Sequence, residues 1–439
     1  MPYPSFARAH ELLNLLELYS RLKHEQDADG VSAQVAAAES ALTKALAAVR
    51  ALPDDPTLAA KEPDDLETIR ALRPAGPRAI WSTFNETEYR RRLEGALLGR
   101  FAGCTLGAPV EGWSVERMQA WAREIGDAFP PVDYWSAVPE PHALRYGASR
   151  CDAYTRGKLD GVPVDDDITY TMLGLLIAED YGLNFTTADV GRAWLHYLPI
   201  ACTAEHVALE NLKKGIPAEQ AGETDNPYVA WIGADIRSDP WGYLAPGLPE
   251  KAAKMAYRDA YLSHRRAGIY GEMYFSAVIA AAFTVDDPAK ALEIGLAEIP
   301  ADCALAETVR WALEMAPSVT DYRKARALVD ERFAGMSSVH TLNNACLTIW
   351  GLILGGADFT RVIGETAAMG LDNDCTAATA GSIIGAIVGK DGIPPHWTAR
   401  FHNTVHTYIT GHPHLAIDDV IDRFTEQAAR AFTKAPIDR

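Results

Sequence analysis

Two segments lying far apart in the chain repeat glycine at every fourth position. One carries Gly95, Gly99, Gly103 and Gly107; the other carries Gly381, Gly385 and Gly389. Four-residue spacing places residues on one face of a helix. Each glycine costs a helix about 0.8–1 kcal/mol relative to alanine, so a row of them implies a return, namely room for another backbone to come close. The spacing predicts a buried helix over Ala377 to Val388 and another over Tyr89 to Cys104. Either the two helices cross closely in the centre of the fold, or they are separate core helices with no functional tie.

The remainder of residues 88–430 reads as helix after helix, including 169–181, 249–263, 270–283, 303–316, 342–354, 359–369 and 416–433. Alternating β-branched segments are scarce, and no GxGxxG follows a strand, so the expectation is an all-α domain whose loops carry the polar chemistry. Ahead of it, Leu12, Leu13, Leu15, Leu16, Tyr19 and Leu22, then Val35, Ala38, Leu42, Leu46 and Val49, recur at helical spacing on either side of Asp27-Ala28-Asp29-Gly30. That pattern predicts a helical hairpin over 1–51, packed on the main body or on another subunit. Pro53, Pro56, Pro63, Pro74 and Pro77 mark 52–87 as a linker or wrapping segment, and 88–439 as the main domain.

A net charge of -18 argues against a nucleic-acid-binding surface, which needs clustered Lys and Arg. The six cysteines are scattered, with no CxxC pair, as expected of reduced thiols. The N-terminal segment lacks the pattern of a signal peptide. No apolar run is long enough for a membrane span. A cytoplasmic protein is the expectation, and its oligomeric state is open.

Carboxylates gather at two points. Asp165-Asp166-Asp167 runs directly into a helix, and Asp372-Asn373-Asp374 stands in the same relation to the Gly-spaced helix. Acidic residues at helix N-termini cap free N–H groups and complement the dipole. One Asp suffices for that, however, and adjacent like charges repel. If the two helix ends face each other, the carboxylates converge into a set of hard oxygen ligands suited to Mg²⁺ or Mn²⁺; otherwise they are two separate caps.

Taken together, these segments resemble the ADP-ribosylglycohydrolase family, which includes the dinitrogenase-reductase-activating glycohydrolase and the ADP-ribosyl-acceptor hydrolases. Gly107 to Glu111 is similar to the family's loop after a Gly-rich helix, and Asp165 to Thr171 to its T-D-D-T-x-x-T segment. Gly370 to Cys375, with the following Gly-spaced helix, is similar to its G-x-D-T-D-T segment. Ser263-His264 before Gly268 and the run Ala277–Ala282 add to the likeness, which spans about 88–430. Asp165, Ile168 and Cys375 depart from the usual residues, and Cys104 stands where many members have Asp.

The resemblance implies an all-α, ADP-ribosylglycohydrolase-like orthogonal helical bundle, here with an N-terminal hairpin extension, built around two Mg²⁺ or Mn²⁺ ions. By similarity Asp165, Asp166, Asp167, Asp372 and Asp374 would be metal ligands, with Glu111 at the metal and substrate edge. Glu111, Asp167 or Asp374 would accept the proton of the attacking water. His264 would contact substrate, and Trp113, Tyr270 and Trp241 are candidates to stack on a base; the bland alternatives are a capping histidine and core aromatics. The implied activity is hydrolysis of a ribosyl N- or O-glycosidic bond in an ADP-ribosylated or ADP-ribose-like substrate. The added Asp165 makes the site more anionic and suggests a smaller, unphosphorylated riboside or other glycoside instead. A non-catalytic binding or structural member of the family is the alternative of another class.

Overall fold

The computed structural model describes residues 3–433, in which twenty α-helices account for nearly all regular structure. The four strands are two or three residues long and form two separate antiparallel pairs: β1 (Leu144–Arg145) with β2 (Ser149–Arg150), and β3 (Thr404–His406) with β4 (His414–Ala416). The fold is all-α, as the periodicity predicts. Among the described residues no helix is long and apolar enough to cross a membrane.

The chain divides into two compact units, the first ending at Ala60 and including Ala334–Met336, the second comprising Lys61–Phe333 and Ser337–Arg439. In the first unit α1 (Ala7–Glu25) and α2 (Val31–Arg50) pair as a hairpin across a turn where Gly30 takes a left-handed φ of 82°. Neither helix buries a residue, and Leu12, Leu13, Tyr19, Leu22, Leu42 and Leu46 all stand exposed.

The Pro-rich stretch expected as a linker or wrapping segment carries a short helix over Pro56–Lys61 and stays structured beyond it, in the second unit. It forms α3 (Leu66–Leu72), capped by Asp65, with Ile69 fully buried. Beyond it Arg73 and Arg78 both pair with Glu298, whose side chain is entirely buried; Arg78 lies 2.8 Å away, and Arg73 also reaches Glu250 at 2.9 Å. Arg78 further donates to the carbonyls of Ala297 and Pro74. Two guanidinium groups closing on one buried carboxylate strap this segment to the rest of the second unit.

The centre of that unit is an antiparallel pair, α4 (Glu86–Gly107) and the later Asn373–Val388 helix, which meet along their glycine faces. A Cβ added at Gly95 would overlap the carbonyl of Gly385, at Gly99 that of Gly381, at Gly103 that of Ala377 and at Gly107 that of Asn373; the clash is mutual for Gly381 and Gly385. The close crossing is therefore real, and its register runs from Gly95 to the end of α4 at Gly107. Around this pair pack α5 (Asp166–Tyr181), α6 (Ala267–Ala282), α7 (Thr341–Gly355), α8 (Phe359–Ala368) and, after the pair's own second helix, α9 (Asn373–Val388), the last helix α10 (Ile417–Arg430). Every residue of α6 is buried, as a helix apolar on all sides must be.

Candidate metal centre

Antiparallel register places the C-terminal end of α4 against the N-terminal end of α9. The chain leaving α4 passes through a 3-10 turn (Ala108–Val110) to Glu111, and Gly112 N–H donates to the Leu371 carbonyl at 2.9 Å. Glu111 thus stands beside Asp372 and Asp374. Helix α9 starts at Asn373, four residues earlier than the sequence predicts, so Asp374 lies in its first turn. Asp372 occupies the N-cap position but makes no capping bond. Its carboxylate is buried with no capping role.

Arg100, midway along α4 and completely buried, brings in the second acidic segment. Its guanidinium donates to the Asp167 carboxylate and carbonyl at 3.1 and 2.9 Å, to Thr171 at 2.7 Å and to Asp239 at 2.6 Å. The start of α5 is thereby fixed to α4, as α9 is by its glycines. Asp165 is the N-cap of α5, accepting from Asp167 N–H at 3.2 Å. The two acidic helix ends converge: donor atoms of Asp165, Asp167 and Asp374 lie within 4.8 Å of one another, and so do those of Asp372, Asp374 and Cys375.

Crowding acts on the charges. Burial first, then neighbouring carboxylates, pushes Asp165, Asp167 and Asp372 well above the usual range, and burial raises Asp166. For Glu111 the charge of Asp374 comes first and burial second. Cys375 is not a ligand of the kind a hard cation prefers. Burial pushes its thiol far up, and the S–H donates to Asp167 at 3.1 Å. The oxygen donors nonetheless fit a divalent cation: Asp374 Oδ1 is buried with no hydrogen-bond partner, and Asp374 shares a group with Asp372.

A cation the sequence did not announce is present in the protein itself. At the tip of the β1–β2 hairpin, Tyr146 and Gly147 both take positive φ, 51° and 66°, the conformation of a tight hairpin turn. The tip carries Arg145 into the cluster. One arm of its guanidinium donates to Glu111 at 2.9 Å and to the Ala108 carbonyl at 2.8 Å; the other donates to Asp165 at 3.0 Å and Asp374 at 2.9 Å. Tyr146 O–H donates to Asp166 at 2.6 Å.

The cluster opens on a cavity of about 110 Å³ lined by Glu111, Asp166, Asp372, Asp374 and Cys375 on one side. Tyr146, Tyr170, Trp231, Ile236 and Glu205 are among its other lining residues. Glu205 is buried against Arg237 at 2.8 Å, and burial pushes its carboxyl up to about 7.

The structure gives the expected substrate contacts other partners. His264 is fully buried and bonds through Nδ1 to Ser263 Oγ at 2.8 Å. Tyr270 is buried and donates to the Pro63 carbonyl at 2.5 Å. Trp113 packs under the guanidinium of Arg117, 3.7 Å from its ring centre. Trp241 is buried and bonded to Glu272 at 2.8 Å. None of the four lines the cavity. Its aromatic wall comes from Trp231, Tyr146 and Tyr170.

The pattern of the family described as ADP-ribosylglycohydrolase matches residues 85–434. The chain belongs to the ADP-ribosylglycohydrolase family. Among solved structures, an ADP-ribosylglycohydrolase-related protein complex matches with a TM-score of 0.54 at 19% identity, covering 79% of this chain and all of that one; at such identity it speaks for the fold alone. No curated protein matches. The ADP-ribosylglycohydrolase family generally hydrolyses ADP-ribose linkages and typically depends on divalent metal, and the match leaves most of the N-terminal unit outside it.

Proposed function

We propose that this member of the family cleaves a ribosyl N- or O-glycosidic bond of an ADP-ribosylated or ADP-ribose-like substrate, with Mg²⁺ or Mn²⁺ held by Asp372, Asp374 and Asp166. The observation that carries the reading is the buried, unpartnered Asp374 oxygen beside Asp372 at the wall of the cavity. A divalent ion held there would supply the positive charge needed to orient sugar hydroxyls and to lower the pKa of an attacking water. Asp166 is oriented by Tyr146 O–H, which leaves the rest of its carboxylate for the site.

Ribosyl transfer to water passes through an oxocarbenium-like state, so a carboxylate must take the water's proton while the ring is held in place. Glu111 is suited to accept it. It stands at the rim with its side chain 40% exposed, and Asp374 raises its proton affinity. Asp374 is the alternative acceptor. Asp167 serves position instead, since Arg100 and the Cys375 thiol engage its carboxylate. Trp231 and Tyr170 line the same cavity and would pack against the sugar or its aglycone.

One observation favours the smaller substrate as a second reading. Among the described residues the cavity lining holds five carboxylates, Glu111, Asp166, Glu205, Asp372 and Asp374, and no Lys, Arg or His. A pyrophosphate would find no basic partner there. Chelator-treated protein assayed by thermal shift and by turnover separates the readings. The expectation is stabilisation by ligand only when Mn²⁺ or Mg²⁺ is restored, lost in Asp374→Ala. A preference for ADP-ribosyl compounds over unphosphorylated ribosides sustains the first substrate class, and the reverse preference the second. Ligand binding indifferent to both metal and Asp374→Ala would leave a non-catalytic binding protein.

A further inference from the structure

The two groups of cation-ligating atoms are not equivalent. In the group of Asp165, Asp167 and Asp374, protein donors already engage the carboxylates. Asp165 accepts from Asp167 N–H and from Arg145, and Asp167 accepts from Arg100 and from Cys375. Asp374 gives Oδ2 to Arg145. Asp374 also shares a group with Asp372; its Oδ1 is free and buried, and Asp372 makes no capping bond. Arg145, together with Arg100 and the Cys375 thiol, therefore leaves the cluster with a saturated half and an open half.

We infer that Arg145 stands permanently in place of one of two cations, so that the centre takes a single divalent ion, on the Asp372–Asp374 side. The inference rests on the metal-dependent reading above. A guanidinium suits the role because it cannot be deprotonated and its planar fork reaches carboxylates on several sides at once. Here the fork joins Glu111, Asp165 and Asp374, which come from three different parts of the chain. Its side chain is only 15% exposed. The backbone commits to this placement too: Tyr146, a bulky residue, holds a left-handed φ next to it, a conformation unfavourable for an L side chain that the bond to Asp166 helps to hold. The turn, the aromatic hydroxyl and the guanidinium make one rigid insert.

The consequence for chemistry is a fixed charge where an exchangeable ion would otherwise sit. Arg145 can neutralise Asp165 and orient Glu111, but it offers no coordination position to a water or to a sugar hydroxyl. Ligand exchange is confined to the one open side.

The test is the number of Mn²⁺ ions bound by the full chain after chelator treatment. It is read by titration calorimetry and native mass spectrometry, with paramagnetic resonance to detect coupling between neighbouring ions. The expectation is one ion and an uncoupled signal for the natural protein, and a second ion with a coupled signal for Arg145→Ala. Two ions in the natural protein would overturn the inference while keeping the metal-dependent function. One ion in both proteins would overturn it as well, since Arg145 would not be what excludes the second. No ion in the natural protein would remove the metal reading itself. Should Arg145→Ala fail to fold, Arg145→Met keeps the packing of the stem without the charge and is read the same way, and the stoichiometry of the natural protein alone still decides against two.

Discussion

Cys375 illustrates how a departure at one atom is absorbed by its neighbours. Its S–H donates to Asp167 at 3.1 Å in a buried setting. Removing the donor in Cys375→Ala leaves that carboxylate oxygen short of a partner, at a cost of about 1–3 kcal/mol; Cys375→Ser restores the bond and should recover most of the loss in a urea unfolding series. Equal stability of the Ala and Ser variants would show that the thiol bond carries no weight. Glu205 makes a different residue-scale prediction. Its folded pKa of about 7 lies above the ordinary 4.5, so the unfolded chain ionises first and stability falls as pH rises between those values. The contribution is complete below 4.5 and gone above about 7. Thermal melts of the natural protein minus those of Glu205→Gln should show this slope, and a flat difference would contradict it.

At the scale of elements, the α4–α9 pair decides where the site can be. Its glycines were legible because a four-residue repeat is a helical signal whatever surrounds it, and two such rows call for each other. The acidic helix starts were legible for a similar reason, since their charge exceeds what capping needs. The β1–β2 hairpin was not. Strands of two residues have no periodicity to read, and an arginine beside Tyr-Gly looks like solvated surface until the fold turns it inward. Arg100 lies within the first Gly-spaced helix, yet nothing local in the sequence tells that it reaches Asp167 and Asp239 rather than water. Trp231 and Glu205 likewise come from segments with no pattern of their own. The pair makes a sharp prediction: Gly99→Ala, which gains helix propensity on α4, should nonetheless destabilise by roughly 1–3 kcal/mol or more, because its methyl would overlap the Gly381 carbonyl. Metal affinity should fall in parallel as the helix ends part. A variant as stable as the natural protein would mean the helices can separate freely.

For the molecule as a whole, the segment from Lys61 to Arg78 extends the second unit well ahead of the first glycine helix. Its strap depends on Glu298, which is fully buried between Arg73 and Arg78. Removing one partner of a buried pair typically costs about 3–5 kcal/mol, and because Glu250 keeps a hold on Arg73 the lower end is expected for Glu298→Ala. The urea midpoint should drop with little change in the slope of the transition. A shift below about 1 kcal/mol would show that the segment is held by its apolar contacts, Ile69 foremost, rather than by charge.

The register that joins residues 95 and 385 also sets a clock. A ribosome adding about 5–20 residues per second needs on the order of 15–60 s to supply the partner that the α4 glycines await. Through that interval α4 is a helix weakened by its own composition, with no backbone to lie against, and the carboxylates at either end have not met. The acidic centre is thus among the last things the nascent chain can assemble: folding must be nearly complete before there is anywhere for a cation to bind.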